Sequence, residues 1–275
     1  MTGGCFKIKK NIPMRLDLYT LTYNEADIIP YVLQYYKHLR SQGIDLHCYI
    51  YDNYSTDNSV ELLSQYDWIE IRKFQSDGHN DIIHQLLKQD CWKESKGRAD
   101  WCCVCDFDEI LWSKNNSLKE ELEYADKHNF NVIGMKWYAF CGNVTPQYQE
   151  GTFLHQQVKR GYEQYINHTP QFKHLGKFIL FNPNKVDEML WSVGQHILFK
   201  VIPYLNLYVT STVVTFHINK GMNEDYFVQK RHKMFQRLSQ TNLRSGMGIE
   251  YGYTEEKIRQ EYREYQAKSL DISNI

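Results

Sequence analysis

The segment Asp106-Phe107-Asp108-Glu109 carries the strongest candidate chemistry in the sequence. It follows an apolar run that is typical of a buried strand, so two carboxylates two residues apart enter one pocket where the strand turns. Carboxylate oxygens suit Mg²⁺ or Mn²⁺, and diphosphate oxygens would complete the coordination shell. Such a cation neutralises the charge that develops on a diphosphate leaving group. We expect Asp106 and Asp108 to bind a divalent metal and Asp108 to serve the catalytic step, whereas the alternative is an ordinary acidic turn.

The polar turn at residues 52–57 is a second candidate site. Asp52 would accept a hydrogen bond from a nucleobase N–H or a ribose hydroxyl, and Asn53 lies beside it. The simpler alternative is a local side-chain-to-backbone turn that leads into a helix capped by Asp57 or Thr56. We expect Asp52 and Asn53 to contact a nucleoside, and both interpretations of the turn stay open.

The segment Tyr23-Asn24-Glu25 is a third candidate, directly after the first apolar run. Its backbone groups would face a nucleobase, and the Glu25 carboxylate would lie at the start of a helix. Capping of that helix explains Asn24 and Glu25 equally well. We expect all three residues to contact the same ligand as Asp52.

These polar segments follow different strands of one predicted sheet. Short apolar runs alternate with longer amphipathic ones, which is typical of parallel strands joined by helices. The pattern predicts strands at 16–22, 47–51, 68–74 and 101–105, and helices at 25–39, around 60–63 and at 81–92. Gly43 is expected to close the first helix. Ligands of doubly wound folds bind at the carboxyl ends of the strands, so the three segments should converge on one crevice.

The second half of the sequence is less regular. We predict strands at residues 132–138, 178–181 and 207–216, and helices near 224–239 and 254–268. Residues 140–176, rich in Gly, Gln, Tyr and His, are predicted to form a long loop. Loops of that length in compact domains are usually functional.

Composition excludes several classes of protein. The net charge of −1 provides no basic surface, so we expect no nucleic-acid partner. No segment approaches the roughly 20 apolar residues of a transmembrane helix, and no signal-peptide pattern precedes the first strand. The seven cysteines lack metal-type spacing, and three of them fall in the apolar run before Asp106. They indicate reduced thiols and a cytoplasmic protein.

The three motifs together resemble the family-2-like glycosyltransferases of the GT-A fold. The likeness rests on residues 22–25, 51–57 and 100–109, in the branch whose acidic motif reads Asp-x-Asp-Glu. It is specific over residues 15–112, where the motifs occur in matching order and spacing. It continues more weakly through Lys177-Phe178-Ile179, Pro183, Val186, His196 and Phe216-His217.

The resemblance implies a GT-A-like, Rossmann-like α/β fold with a mostly parallel sheet flanked by helices. It also implies a nucleotide-sugar donor, usually UDP-linked, with Mn²⁺ or Mg²⁺ and usually inversion at the anomeric carbon. By motif position, Asp52 would contact the nucleoside, and Asp106 and Asp108 would serve the metal and diphosphate. His217 occupies the place of the late histidine that is commonly the third metal ligand, and Lys177 would reach a phosphate oxygen.

The resemblance leaves the catalytic base and the acceptor open. Phe140-Cys141-Gly142-Asn143 stands where the branch often has a Phe-Gly-Ser-Ser-Gly-like segment, so the acceptor loop is expected to differ. No acidic pair supplies an evident base, and His196 is a catalytic candidate on the same footing as four carboxylates. The five candidates are Glu150, Glu163, Asp187, Glu188 and His196.

The same likeness suggests how the chain is organised. Residues 1–130 would form the nucleotide-sugar-binding half, residues 131–222 the acceptor-side half of the same domain, and residues 223–275 a C-terminal helical segment. The acceptor would be a glycan, a lipid-linked glycan or a protein, selected by the loop at 140–176. Fold alone does not name the substrate.

Two other functions use similar residues. Haloacid-dehalogenase-like phosphohydrolases also place Asp-x-Asp after an apolar strand, but there it normally follows the first strand and is followed by Thr or Val rather than Ile110. A nucleotide- or carbohydrate-binding module without turnover is the second alternative, which the unassigned base leaves open.

Overall fold

The computed structural model describes residues 13–114, 117–164, 175–218 and 221–275 of the 275-residue chain. Within these ranges the strands are β1 (Met14–Thr22), β2 (Ile44–Asp52), β3 (Ile69–Lys73), β4 (Trp101–Asp106), β5 (Glu109–Ser113), β6 (Val132–Phe140), β7 (Arg160–Gln164), β8 (Leu180–Phe181), β9 (Glu188–Trp191), β10 (Leu198–Ile202), β11 (Leu207–His217) and β12 (Leu270–Asp271). The α-helices are α1 (Ile29–Ser41), α2 (Ser59–Leu63), α3 (Asp81–Asp90), α4 (Ser117–Lys127), α5 (Leu154–Val158), α6 (Glu224–Gln236), α7 (Gln240–Ser245) and α8 (Glu255–Ala267).

One mixed sheet organises the described part of the chain. Its strands follow the order β12-β7-β6-β8-β4-β1-β2-β3, with β11 paired to β6 and β5 paired to β11. Strands β3, β2, β1 and β4 are parallel neighbours, which is the strand order of a doubly wound half. The α/β fold class is confirmed, and the order reverses between β1 and β4, where such folds bind ligands.

Both faces of the parallel strands are buried, which explains their continuous apolar runs. On β4, Cys103 and Cys105 pack into the core cluster that contains α1, whereas Cys102 and Val104 pack on the opposite face with Trp92. The six cysteines in the described ranges are all buried. No helix among the described residues is long and apolar enough to cross a membrane.

The predicted elements of the first half are confirmed with small shifts. Helix α1 ends before Gly43, whose φ of 80° suits the glycine predicted to close it. The third predicted helix ends at Asp90 and continues as a 3-10 turn at Cys91–Ser95. Strand β5 was not predicted, because its residues follow the acidic motif directly and only pairing with β11 shows them to be extended.

The predicted loop at 140–176 is wrong in part. It contains α5 and β7, and β7 joins the edge of the sheet by pairing with β6. Residues 165–174 of the predicted loop lie outside the described residues. Helix α4 and the hairpin of β9 and β10 were also missed. In α4, Leu118, Leu122 and Ala125 recur at helical spacing, so this helix was predictable, whereas β9 and β10 have only four and five residues.

His155 in α5 is a buried histidine whose protonation opposes folding. Its Nδ1 lies 2.9 Å from the hydroxyl of Tyr35, and its ring packs on Trp112. Burial, with added repulsion from His38 and Lys114, lowers the pKa of His155 from 6.5 to about 4. Between these pH values, His155 therefore binds a proton in the unfolded chain but not in the folded chain. Stability is full above the unfolded pKa and falls as the pH drops towards 4.

We expect the free energy of unfolding to fall by about 2 kcal/mol between pH ~7.5 and pH ~5 on account of His155. His155→Phe should flatten this part of the pH dependence, although it loses the contact with Tyr35. Urea unfolding at the two pH values measures the effect. An equal loss in the variant and the wild type would assign the acid sensitivity to other groups.

Candidate active site

A cleft of about 430 Å³ opens at the carboxyl ends of β1 to β4. Tyr23 after β1, Asn53 after β2 and Phe74 after β3 line one side, and Asp106 at the end of β4 lines its centre. Helices α3 and α6, the segment between β9 and β10, and residues 246–251 form the remaining walls. The three polar segments thus converge, as the predicted sheet required.

Eight of the ten predicted site residues line this cleft. They are Tyr23, Glu25, Asn53, Asp106, Asp108, Lys177, His196 and His217. The other two, Asn24 and Asp52, lie in the turns that border the cleft and do not line it. The structure therefore brings the residues that follow the first strand and the distant His217 into one site.

Asp106 is held between two buried lysines. Its Oδ1 accepts a hydrogen bond from Lys88 Nζ at 2.6 Å, and Lys177 Nζ lies 4.0 Å from its Oδ2. Burial disfavours the charged carboxylate, but Lys88 and Lys177 outweigh burial and lower the pKa of Asp106 below its usual range. Lys88 is only 3% exposed, and its pKa stays raised because Asp106 and Glu109 overcome its desolvation. Asp106 therefore stays ionised throughout the physiological pH range.

Asp108 contacts a lysine and a histidine through one oxygen. Lys230 Nζ from α6 lies 2.6 Å from Asp108 Oδ2, and His217 Nε2 from the end of β11 lies 3.5 Å from the same atom. Burial opposes the charge on Asp108, but Lys230 and His217 lower its pKa well below the usual range. His217 stacks on Trp137, and its Nδ1 has no hydrogen-bond partner within the described ranges. The predicted late histidine thus lies beside the acidic motif.

Lys177 and Glu109 form a buried ion pair at the base of this cluster. Lys177 donates to Glu109 Oε1, and the two side chains are 2% and 0% exposed. Glu109 Oε2 also accepts the backbone N–H of Asp106 at 3.3 Å. The Lys177 ammonium lies 5.0 Å from the ring centre of Trp137. The pair therefore fixes the turn that carries both predicted metal ligands.

The side chains of the acidic motif fit a divalent cation in part. Asp108 Oδ2 and His217 Nε2 converge, and this combination of oxygen and nitrogen suits Mn²⁺. Asp106 instead faces Lys88. Across the part of the chain that the structure describes, no group of three or more His, Cys, Asp or Glu side chains is arranged to hold a metal ion. A metal bound by all three residues would have to compete with Lys88 and Lys230 for the carboxylates.

Asn24 joins the turn after β1 to the turn after β2. Its Oδ1 accepts the backbone N–H groups of Thr56 at 2.7 Å and Asp57 at 3.3 Å. Helix α1 follows Ile28 as its N-cap residue, without a side-chain cap. The alternative that Asn24 and Glu25 cap this helix is therefore wrong. Asn24 instead holds together two turns that border the cleft.

The predicted role of Asp57 at the start of the second helix is confirmed, although the N-cap position itself is Asn58, which has no side-chain cap. Asp57 uses one oxygen to accept the N–H of Ser59, the first residue of α2, at 2.9 Å and the other to accept that of Ala26 at 3.1 Å. Like Asn24, it ties the two turns together, and Thr56 contributes its N–H and hydroxyl to Asn24.

Asp52 is fully buried at the end of β2. Both carboxylate oxygens accept the N–H of Ser55, at 3.3 and 3.1 Å, and one of them pairs with Lys73. This is the local turn that the sequence left open as an alternative. Contact between Asp52 and a nucleoside stays a prediction, and the neighbouring Asn53 is the residue that lines the cleft.

We expect Asp52→Ala to lower the free energy of unfolding by about 1–3 kcal/mol, because it leaves the Ser55 N–H unpaired inside the protein. Asp52→Asn is the matched control, since its amide oxygen still accepts from Ser55 and the released Lys73 is 45% exposed. Urea unfolding compares the two variants, and equal stabilities would show that the turn does not depend on this acceptor.

One side chain in the cleft has a pKa near physiological pH. Burial, opposed by Lys230, raises the pKa of Glu25 to about 7. His196 is open to the cleft, and desolvation within it and the nearby Lys177 lower the pKa of His196 to about 3. His196 is therefore neutral at physiological pH, but an imidazole with this pKa is a weak base.

Among the five candidates for the base, only His196 lines the cleft. Three of the carboxylates pair instead with lysines: Glu163 with Lys136, Asp187 with Lys96 and Glu188 with Lys93. Glu150 is exposed and does not line the cleft. Of the candidates that the sequence offered for the base, His196 is therefore the one in the site.

Sequence reading missed several cationic residues of the cleft. Lys88 follows His84 by one helical turn, so both side chains lie on one face of α3. Lys230, Met234 and Arg237 have the same spacing along and just beyond α6, and all three line the cleft. This spacing is visible in the sequence, but nothing in it shows that these faces turn towards the acidic motif.

Comparison with known proteins defines the class of this fold and site. The model of glycosyltransferase family 92 matches residues 18–264. The chain therefore belongs to glycosyltransferase family 92. No curated protein sequence gave a significant match.

Solved structures with a similar fold include TarS of S. aureus. The TarS 1-349 crystal structure is 13% identical with a TM-score of 0.48, covering 92% of this chain and 71% of that one. A longer TarS structure is 12% identical with a TM-score of 0.47, covering 92% and 43%. TarS 1-349 in complex with UDP is 12% identical with a TM-score of 0.46, covering 91% and 71%.

Family membership decides between the enzyme classes left open by the sequence. The protein is a glycosyltransferase, and the phosphohydrolase alternative is wrong. In the sheet, Asp106 ends β4, the fourth strand along the chain and the outermost of the parallel set, and its carboxylate is engaged by Lys88.

Proposed function

We propose that this glycosyltransferase moves a sugar from a UDP-linked donor to a hydroxyl group of a glycan, lipid-linked glycan or protein, with inversion. The observation that carries the proposal is the convergence of Asp106 and Asp108 with Tyr23 and Asn53 in one cleft. Acidic residues suited to a metal-bound diphosphate and turn residues suited to a nucleoside thus share a single site. The finer relationship to the Asp-x-Asp-Glu branch of the GT-A enzymes belongs to this proposal.

In this proposal Asp106, Asp108 and His217 would hold Mn²⁺ or Mg²⁺ in competition with Lys88 and Lys230, and the cation would neutralise charge on the departing diphosphate. Lys177, next to Asp106, lies where it would meet a phosphate oxygen once the donor shares the cluster. Imidazole at His217 favours Mn²⁺ over Mg²⁺. The binding of donor and metal are then linked, since both act on the same carboxylates.

His196 serves as the base in the proposed reaction. The acceptor hydroxyl attacks the anomeric carbon, the bond from that carbon to the diphosphate oxygen breaks, and the hydroxyl proton passes to the neutral imidazole. A base must lie within hydrogen-bond reach of the proton that it removes, so the acceptor has to enter beside the segment between β9 and β10. The cysteines of β4, Cys102, Cys103 and Cys105, are buried, and a cytoplasmic location remains part of the proposal.

A thermal-shift screen tests the donor. The purified protein is heated with UDP, UDP-sugars and other nucleotides, each with and without Mn²⁺. A ligand at a hundred times its dissociation constant stabilises the folded state by about 2.7 kcal/mol, so a true donor shifts the melting temperature by several degrees. We expect UDP-linked compounds with Mn²⁺ to give the largest shift. No shift with any nucleotide would contradict the proposed function.

A further inference from the structure

The cationic side chains of the cleft differ in one respect. Five lysines and arginines line it, and four of them have a carboxylate partner within 4.0 Å. The four pairs are Lys88 with Asp106, Lys177 with Glu109, Lys230 with Asp108 and Arg231 with Glu261. Arg237 has no carboxylate partner in the described part of the chain. Among the lysines and arginines that line the cleft, Arg237 is the one that forms no ion pair with a described residue.

The position of Arg237 is well defined. It caps the carboxyl end of α6, and its backbone oxygen accepts the N–H of His79 at 2.6 Å, which fixes the residue to the loop after β3. Its guanidinium carbon lies 3.4 Å from the centre of the Tyr23 ring. Glu25 is within electrostatic range of both Arg237 and Asp108. Arg237 therefore packs on the turn after β1 and lines the same cleft as the acidic motif.

A half-buried guanidinium without an anion is an unfavourable arrangement unless a ligand supplies the anion. Stacking on Tyr23 offsets part of this penalty but satisfies none of the five N–H donors. Guanidinium groups bind phosphate oxygens through two parallel hydrogen bonds, which a lysine cannot reproduce. Burial lowers the pKa of Arg237, opposed by Tyr23 and Glu25, yet an arginine keeps its charge in proteins.

We propose that Arg237 binds the diphosphate of the donor, so that the carboxyl end of helix α6 completes the donor site. This inference rests on the proposed function, because it takes a nucleoside diphosphate as the ligand. The chemical group recognised is the diphosphate alone. The nucleoside is left to the turns after β1 and β2.

Titration calorimetry with UDP and with uridine, at constant Mn²⁺, separates the phosphates from the nucleoside. We expect Arg237→Met to weaken UDP binding by about 10- to 100-fold, the effect of losing charge-assisted hydrogen bonds. Uridine binding should change by less than about threefold, because uridine has no phosphate group to bond with the guanidinium. Arg237→Lys should lie between the wild type and Arg237→Met for UDP. Arg244→Met, at an exposed arginine of α7 outside the cleft, is the control that should bind UDP like the wild type.

Two results would overturn the inference while leaving the proposed function intact. One is UDP binding by Arg237→Met as tight as that of the wild type. The other is an equal loss of UDP and uridine affinity, which would show that Arg237 only supports Tyr23. Wild-type protein that binds neither ligand would instead remove the proposed function, and the inference with it. If Arg237→Met does not fold, Arg237→Gln carries the same comparison.

Discussion

Asp108→Asn is expected to reduce sugar transfer, or donor hydrolysis where no acceptor is supplied, by about a thousandfold or more, because metal stabilisation of a leaving group is worth several kcal/mol. The substitution keeps the shape of the side chain and removes the charge on which Lys230 and His217 converge. Metal-dependent binding of the donor should be lost together with turnover. Release of UDP from a UDP-sugar and calorimetric titration with Mn²⁺ in the presence of UDP measure the two effects.

The matched control for Asp108 is Asp67→Asn, at an exposed aspartate that does not line the cleft. It should leave both measurements unchanged. Full activity of the wild type in EDTA would refute the metal proposal and indicate that Lys88, Lys177 and Lys230 neutralise the diphosphate instead. His217→Ala refines the result, since a ligand role requires Mn²⁺ binding to weaken about tenfold and the preference over Mg²⁺ to shrink.

Breaking the buried pair of Lys177 and Glu109 is expected to have the largest effect on stability. Both side chains are almost fully buried, so Lys177→Met leaves an uncompensated carboxylate in the interior. We expect the free energy of unfolding to fall by about 3–5 kcal/mol. Urea unfolding monitored by tryptophan fluorescence measures this loss, because Trp137 lies beside the lysine.

The double variant Lys177→Met/Glu109→Gln tests whether the loss comes from the unpaired charge. Removing the carboxylate as well should recover a large part of the stability, since no ion is then left buried without a partner. Losses that simply add in the double variant would show that the two residues act independently. Donor binding should stay weak in every variant that lacks Lys177, if that lysine also reaches a phosphate oxygen.

Much of the first half of the fold is determined by local patterns in the sequence. The apolar run at 101–105 has to be a strand with both faces covered, because an uncovered face would expose apolar side chains to water. The amphipathic segment at 25–39 has to be a helix that packs its apolar side beside this strand. Parallel strands place their carboxyl ends at one edge. From these rules alone, Asp106, Asp108 and the turns after the first two strands were expected in one crevice, and the structure places them there.

The limits of sequence reading appear where a role depends on which distant segment covers a side chain. From the sequence, the Asp52 carboxylate could bind a nucleoside, but in the structure it is already bonded to Lys73 and to the Ser55 N–H. Asn24 looked like a helix cap and bonds to the turn after β2 instead, and Asp57, which does hold the first N–H of α2, also bonds to the turn after β1. Local propensity does not encode such contacts, since their partners are brought close only by the pairing of β1 with β2.

The charge balance of the site was decided by tertiary structure alone. Nothing in the sequence links Lys88 or Lys230 to the acidic motif, because the partners are 18 and 122 residues apart. Burial of α3 and α6 against the strand ends brings these ammonium groups to Asp106 and Asp108, where a low dielectric makes each pairing strong. Within the described residues, the same packing leaves Arg237 without a carboxylate in ion-pair contact. The sequence by itself therefore determined where the acidic groups lie, and the tertiary structure decided which cations face them and which cation is left for a ligand.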